Sequence, residues 1–452
     1  MRIIIIGCDK VGQTLAAELN EEGNDIVVVD NDPEKVKEVA LKYDLMGVIG
    51  NGATREIQKE AGVDSADLLI AVTGSDELNL LCCVMAKKAG SCQTIARVKS
   101  PDYAADAPYL KEELDLAMVI NPEQAAATEI SRILNFPSAI SIETFAKGRV
   151  ELLSFRLPEG CVLVGMSVKD AMMRLKCNVL ISTVFRDDEV YIPNGDFVFA
   201  ERDVISIISA PKSTMAFFSK IGYKLQPARD VVIAGGKGIA YYLCDALNRS
   251  GISVRIVEKD MDICNDLSTK FEHLSVIHGD PTNENVLREE GIAGADAFVA
   301  LTDSDEENIL LSLFAKNAGA GKIITRINRT DYDGVISKLE LDSIIYPKNI
   351  TADMILRYVR ATKNTLGSNM QTLYSLAKGT VEVAEFRIGE QSPITGIPIA
   401  EMTLKRGVLI AAILRGRAMI IPRGQDVMLP GDSVLIVSKA LNLHDVTDII
   451  RK

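Results

Sequence analysis

This chain of 452 residues is written twice. Gly7 recurs as Gly235 and Asp30 as Glu258 at an offset of 228, while Gly62, Thr73, Asn79 and Arg97 recur as Gly291, Thr302, Asn308 and Arg326 at 229. Pro122 pairs with Pro347 after a short deletion, and Pro193-Asn194-Gly195 with Pro422-Arg423-Gly424 at 229 again. A period of half the chain is domain duplication and excludes a solenoid, whose repeats run to about 20–50 residues. Whatever one half folds into, the other must fold into as well. At roughly 100 to 200 residues per domain, each half has room for two domains.

Each half changes rhythm part-way. Its first part holds short apolar runs, at 3–6, 26–29, 46–49, 68–72, 95–98 and 117–120, separated by amphipathic stretches of helical length such as 14–22, 33–42, 54–60 and 76–89. Strands without polar alternation are buried on both faces, and in β–α order that means a parallel sheet covered by helices on each side. The runs at 231–234, 254–257, 275–277, 297–301, 323–327 and 343–345 repeat the series. The second part, about 138–222 and 371–450, alternates polar and apolar residues in segments such as 150–155, with Gly- and Pro-bearing turns before strands at 204–208 and 433–437. A short helix, 167–175 or 399–404, is expected in each. The predicted fold class is α/β: two doubly wound parallel-sheet Rossmann domains, 1–134 and 226–360, each followed by a small α+β domain, 135–225 and 361–452.

Composition narrows the function. Hydrophobic residues make up 47% and charged residues 25%, so each domain can bury a core, and disorder, collagen and coiled coil fall away. The 62 Asp and Glu against 50 Lys and Arg give a field that repels phosphate backbones and anionic bilayers, so no nucleic-acid partner is expected. No apolar run reaches the ~18–20 residues of a membrane span, and the opening Met1-Arg2-Ile3-Ile4-Ile5-Ile6-Gly7 breaks too early for a signal peptide, which predicts an intracellular chain. The eight Cys show no CxxC spacing and read as reduced, packed thiols, with no metal site and no disulfide expected.

The strongest local signal is Ile3-Ile4-Ile5-Ile6-Gly7-Cys8-Asp9-Lys10-Val11-Gly12, a buried strand passing through a glycine turn into a helix. Amides at such a helix start point outward with the positive end of the dipole and can seat a diphosphate. The fingerprint for this job is G-x-G-x-x-G, and Asp9 stands at its central glycine, where backbone should approach phosphate. Asp tolerates unusual backbone angles, so the turn can persist, and Lys10 is placed to offset the charge. Asp30 ends the second strand 23 residues after Gly7, where a carboxylate accepts the hydroxyls of an adenosine ribose. In the second half, Gly235-Gly236-Lys237-Gly238-Ile239-Ala240 and Glu258 keep the spacing, with Lys237 in place of the middle glycine and Ala240 in place of the last.

Each fourth strand runs into polar sequence, Thr73-Gly74-Ser75-Asp76 and Thr302-Asp303-Ser304-Asp305, which either edges the ligand crevice or caps the next helix. Arg97 and Arg326 either clamp phosphate or pair with a carboxylate. The apolar helix at 76–89 either offers an assembly face or packs only on its own sheet. No catalytic constellation emerges: His273, His278 and His444 do not recur between the halves, and Cys82 and Cys83 sit mid-helix without a His partner.

Further marks are Gly50-Asn51-Gly52 and Gly279-Asp280 after the third strands, and Asp76-Glu77-Leu78-Asn79 and Asp305-Glu306-Glu307-Asn308 opening the next helices. With Ala96-Arg97-Val98-Lys99-Ser100-Pro101-Asp102-Tyr103 and Ala117-Met118-Val119-Ile120-Asn121-Pro122-Glu123, they form a whole-chain pattern. It resembles the TrkA-type regulatory subunits of Trk potassium uptake systems, which carry tandem RCK (regulator of potassium conductance) domains. The resemblance implies a non-enzymatic cytoplasmic protein at the inner face of the membrane, binding NAD(H), with ATP and ADP as further candidates. It implies a homotetrameric ring beneath a membrane-embedded potassium transporter subunit, gated by ligand-dependent conformational change. By position it implies a first site of Gly7, Gly12, Asp30, Thr73 and Arg97 and a second of Gly235, Gly238, Glu258, Thr302 and Arg326, with Asn51 and Asp280 near the adenosine. Asp9, Lys237 and Ala240 replace glycines common in that family. The rival readings are an NAD-dependent oxidoreductase with an unrecognised substrate domain, and a regulator of another cation channel or antiporter.

Overall fold

The computed structural model describes residues 1–136, 139–146, 148–187, 189–222, 227–329, 333–336, 339, 341–364, 370–376, 380–390, 392–439, 443 and 445–451. His444 and the 225/226 boundary lie outside the described residues. The chain forms two compact units, Met1–Ser131 with Arg229–Leu356, and Arg132–Ala228 with Arg357–Lys452.

In chain order the strands are β1 (Arg2–Ile6), β2 (Asp25–Asp30), β3 (Met46–Ile49), β4 (Leu68–Ala71), β5 (Gln93–Arg97) and β6 (Met118–Ile120). Next come β7 (Ala139–Phe145), β8 (Val150–Arg156), β9 (Val179–Arg186), β10 (Glu189–Tyr191) and β11 (Val204–Ser209). The second half gives β12 (Asp230–Ala234), β13 (Ser253–Glu258), β14 (Leu274–His278), β15 (Ala297–Ala300), β16 (Lys322–Arg326) and β17 (Ser343–Ile345). It ends with β18 (Met370–Leu376), β19 (Val381–Arg387), β20 (Val408–Arg415), β21 (Ala418–Ile420) and β22 (Ser433–Lys439).

The first unit contains two parallel sheets of identical order, β3-β2-β1-β4-β5-β6 and β14-β13-β12-β15-β16-β17. In β1, Ile5 lies opposite Val28 and Ile70, and Ile3, Ile4 and Ile5 are wholly buried, as unbroken apolar runs between two helical layers demand. Strand order reverses between β1 and β4, and between β12 and β15, which opens a crevice at the carboxyl ends of those strands. The lobes touch through Tyr242, whose hydroxyl donates to the Lys99 carbonyl (2.6 Å) and accepts from Asn121 Nδ2 (2.7 Å).

The second unit holds two five-stranded antiparallel sheets, β10-β9-β11-β8-β7 and β18-β19-β22-β20-β21. Each module has a core of its own, around Phe155, Phe217 and Phe218 in one and Phe386, Met428 and Ile449 in the other. A third core is shared: Phe145, Val150, Leu152 and Ile208 pack with Val381, Val383, Leu414 and Leu435. A fork of two hydrogen bonds at 2.7 Å joins Arg186 to Asp203, and its repeat joins Arg415 to Asp432. Asp203 and Asp432 are buried and accept backbone amides besides, so these charges are fully used. The helix expected at 167–175 forms as Val168–Leu175, capped by Ser167. Its expected repeat at 399–404 does not: only the single turn Ile399–Glu401 forms, because Leu404 is drawn into a bridge with Ile450.

Among the described residues no helix is long and apolar enough to cross a membrane, and no His, Cys, Asp and Glu cluster could hold a metal ion.

Candidate functional site

Two clefts lie at the two crevices. The first, about 270 Å³, is lined by Gly7, Asp9, Asp30, Lys35, Asn51, Thr73 and neighbouring loop residues. The second, about 260 Å³, is lined by Gly235, Lys237, Glu258, Lys259, Asp280, Thr302 and their neighbours.

In the first, β1 runs directly into Gly7, whose φ of +108° is reserved for glycine and whose missing Cβ would lie 2.9 Å from the Thr73 amide nitrogen. Gly12 opens the next approach: a Cβ there would stand 1.8 Å from the Gly7 carbonyl oxygen. Asp30 reaches back to the turn, its Oδ2 accepting the Cys8 amide (2.7 Å) and its Oδ1 the Asp32 amide (3.0 Å). Glu258 repeats both bonds, with the Gly236 amide (2.6 Å) and the Asp260 amide (2.8 Å). The acid that sequence spacing assigns to ribose therefore also latches the glycine turn in each lobe.

Asp9 caps the helix Lys10–Glu21 by backbone alone; its side chain swings away from the amides to Lys35 Nζ (2.7 Å). The charge offset expected from Lys10 falls instead to Lys35, because Lys10 begins the helix with its side chain in solvent. Cys8 is buried, and burial followed by Asp30 and Asp9 pushes its thiol up to about 12, so it stays protonated at neutral pH.

Behind each cleft a fully buried Asn holds the loop after the fourth strand. Asn79 Oδ1 accepts the Thr73 amide (2.7 Å) and hydroxyl (2.8 Å), while its Nδ2 donates to the carbonyls of Thr73 (3.2 Å) and Arg97 (2.9 Å). Asn308 makes the same four bonds to Thr302 and Arg326. Asp76 and Asp305, also buried, accept the amides that follow the fifth strands, at Lys99 and Ser100 and at Asn328 and Arg329. In the sequence Asn79 and Asn308 stand out as repeat partners and as the last residues of the Asp76-Glu77-Leu78-Asn79 and Asp305-Glu306-Glu307-Asn308 motifs, and their recurrence at the first turn of equivalent helices was the available signal for this role.

Other expected residues sort as follows. Thr73 and Thr302 edge the clefts, and Ser75 and Ser304, which line them too, cap the helices Asp76–Ala89 and Asp305–Ala318. Asn51 and Asp280 line the clefts in turns closed by their own side chains, through the Ala53 and Thr282 amides. Cys8, Lys10, Val11, Gly12 and Arg97 do not line the first cleft; Arg97 is buried and donates to the Thr73 carbonyl, and burial pulls its guanidinium below the ordinary range. Arg326 lies outside the second cleft, donating to the Thr302 carbonyl (3.4 Å). Gly236 and Gly238 face an adjoining cavity of about 370 Å³ together with Lys99, Glu123, Lys237 and Tyr241. His273 and His278 are exposed, and the His278 ring Nε2 lies 3.1 Å from the Lys259 carbonyl oxygen.

The fold and its clefts define a class: paired dinucleotide-type lobes, each followed by a small antiparallel module. The TrkA-N domain matches residues 3–122 and 231–347 and the TrkA-C domain residues 152–222 and 383–451, and the chain belongs to the TrkA family. The Trk system potassium uptake protein TrkA homolog 1 of Methanosarcina mazei is 35% identical over 99% of both chains. The Trk system potassium uptake protein TrkA of Haemophilus influenzae is 31% identical over 100% of this chain and 99% of its own. Among solved structures, the GsuK RCK domain superposes with a TM-score of 0.65 at 19% identity, over 97% of this chain and 92% of that one. The GsuK channel bound to NAD gives 0.65 at 18%, covering 97% and 77%.

Proposed function

We propose that this protein is the nucleotide-binding regulatory subunit of a Trk-type potassium transporter. It takes NAD(H), or ADP and ATP, in its lobes and passes the resulting change of shape to a membrane-embedded partner. The observation that carries this reading is the repeated latch: in both lobes one carboxylate ties the glycine turn to the strand end where a ribose would bind, so a ligand that engages Asp30 or Glu258 also acts on the turn. The first cleft fits an adenine nucleotide because Gly7 keeps its special angle and Asp9 is neutralised by Lys35 instead of facing the turn. Gly7, Asp9, Asp30, Asn51 and Thr73 would hold the ligand there, and Gly235, Lys237, Glu258, Asp280 and Thr302 in the second lobe. Differential affinity for two conformations is all that a switch requires, and a coupling of ~1–3 kcal/mol suffices. Full-length similarity to potassium uptake proteins supports the transporter partner. Leu81 and Leu310, repeats of one another and both exposed on their helices, support assembly into a homo-oligomer, a tetrameric ring in our reading.

The test is calorimetric titration with NADH, NAD, ATP and ADP, repeated on Asp30→Ala and Glu258→Ala. Binding that Asp30→Ala abolishes supports the reading; absence of binding at millimolar nucleotide, or steady turnover of NADH with carbonyl substrates, refutes it. Co-purification of the membrane partner separates a Trk transporter from another channel or antiporter.

A further inference from the structure

The second glycine turn has a neighbour that the first half of the chain supplies. Glu123 is the second residue of the helix Pro122–Asn135, which follows β6. Its carboxylate is pressed against Gly238: a Cβ there would stand 2.8 Å from Glu123 Oε1 and 2.9 Å from its carboxyl carbon. Gly238 immediately precedes the helix Ile239–Arg249 and offers it no side-chain cap, so the carboxylate sits where an incoming phosphate would approach the turn. The first lobe differs in chain chemistry at the equivalent place, because Gly238 corresponds to Lys10, which is exposed.

Cationic side chains gather around this carboxylate. Glu123 lines the cavity that adjoins the second cleft, together with Lys99, Gly236 and Lys237. Lys99, Arg326 and Arg97 all act on its charge, while burial pushes its carboxyl above the ordinary range and Asp76 adds to that push. Among the described residues no ion pair holds it. It is a carboxylate kept in place by a diffuse cationic field and packing, which makes it displaceable.

We propose that Glu123 is a tethered anion of the second nucleotide site, competing with ligand phosphate for the turn at Gly236-Lys237-Gly238 and tuning that site against phosphorylated ligands. The inference rests on the reading of the second cleft as a nucleotide site. Glu123 is a specificity-determining residue here: it leaves the ribose acid Glu258 untouched and acts only on the phosphate-bearing part of the ligand. A nucleotide that binds with its phosphates at the turn must first push the first lobe's Glu123 aside.

The experiment uses the full chain carrying Asp30→Ala, which isolates the second site, and measures adenosine and ADP by calorimetry with and without Glu123→Gln. The expected result is that ADP affinity rises about tenfold or more, the effect of removing one like charge from a partly screened site, while adenosine affinity stays within about twofold. Glu123→Asp, shorter by one methylene, gives a smaller gain in the same direction, and circular dichroism of all variants checks the fold. ADP affinity unchanged by both substitutions, or adenosine shifting in step with ADP, overturns the inference alone. Binding of neither ligand by any of these proteins overturns the nucleotide reading of the second cleft, and the inference with it.

Discussion

Replacing Asn79 with Ala tests the framework of the first cleft at its most heavily bonded point. The carboxamide is wholly buried and makes four hydrogen bonds, three to Thr73 and one to the Arg97 carbonyl. At roughly 1 kcal/mol net for each bond the loss is about 4 kcal/mol, close to the lower end of the ~5–15 kcal/mol that holds a domain together. The loop after β4 and the end of β5 should therefore open locally while the rest of the chain stays folded. Hydrogen exchange read by mass spectrometry is the right assay, because the multidomain chain will not unfold in one step and has no Trp to follow. Peptides covering 72–79 and 97–100 should exchange about 10³-fold faster, with affinity at the first cleft falling alongside. Peptides covering 301–308 act as the control within the same molecule, since Asn308 makes the identical set of bonds. An increase below about tenfold in the first region would show that the Asn is not what holds the loop, and the reasoning would fall.

Gly12→Ala should destabilise the first lobe by about 1–3 kcal/mol, seen as an earlier first transition in far-UV circular dichroism, because the new methyl meets the Gly7 carbonyl oxygen; the second lobe already carries Ala240 at the matching place. Lys322→Met should stabilise the chain at pH 7 by about 3 kcal/mol, since burial pulls the Lys322 ammonium from 10.5 to about 8 against the attraction of Asp342. Between about 8 and 10.5 the unfolded chain binds more protons than the folded one, so the parent gains stability with rising pH and the advantage of the variant should shrink across that window in denaturant titrations. Cys8 should resist a thiol reagent at pH 8 until the protein is unfolded, because its thiol is buried and held protonated; rapid labelling of the native chain at that residue would contradict the geometry of the turn.

Both parallel sheets were legible because their strands are apolar on both faces and end in glycine or acid, a pattern few other architectures require. Asp30 and Glu258 were legible for the same reason, spacing from the glycine turn being a property of the fold. What escaped was everything set by pairing across long stretches of chain. Lys35 neutralises Asp9 from the next helix, 26 residues away, whereas sequence proximity pointed to Lys10. The Arg186–Asp203 and Arg415–Asp432 forks depend on the antiparallel register, which no local pattern reports. Glu123 reads along the sequence as an acid in the first turn of a helix, and only the packing of one lobe on the other reveals what it faces. The missing helix at 399–404 failed in the same way, its end taken by a strand partner far along the chain.

The core shared by Phe145, Val150, Leu152 and Ile208 with Val381, Val383, Leu414 and Leu435 makes the duplication irreversible in a practical sense. A half-chain cut between the repeats would carry one side of that core as a bare apolar sheet surface, which its own module has nothing left to cover. Two such halves would have to find each other by diffusion, whereas fusion supplies the partner at an effective concentration of order millimolar. The full chain is in this sense a dimer made intramolecular, and freed from the requirement of symmetry its two copies could diverge: Asp9 in one turn, Lys237 in the other.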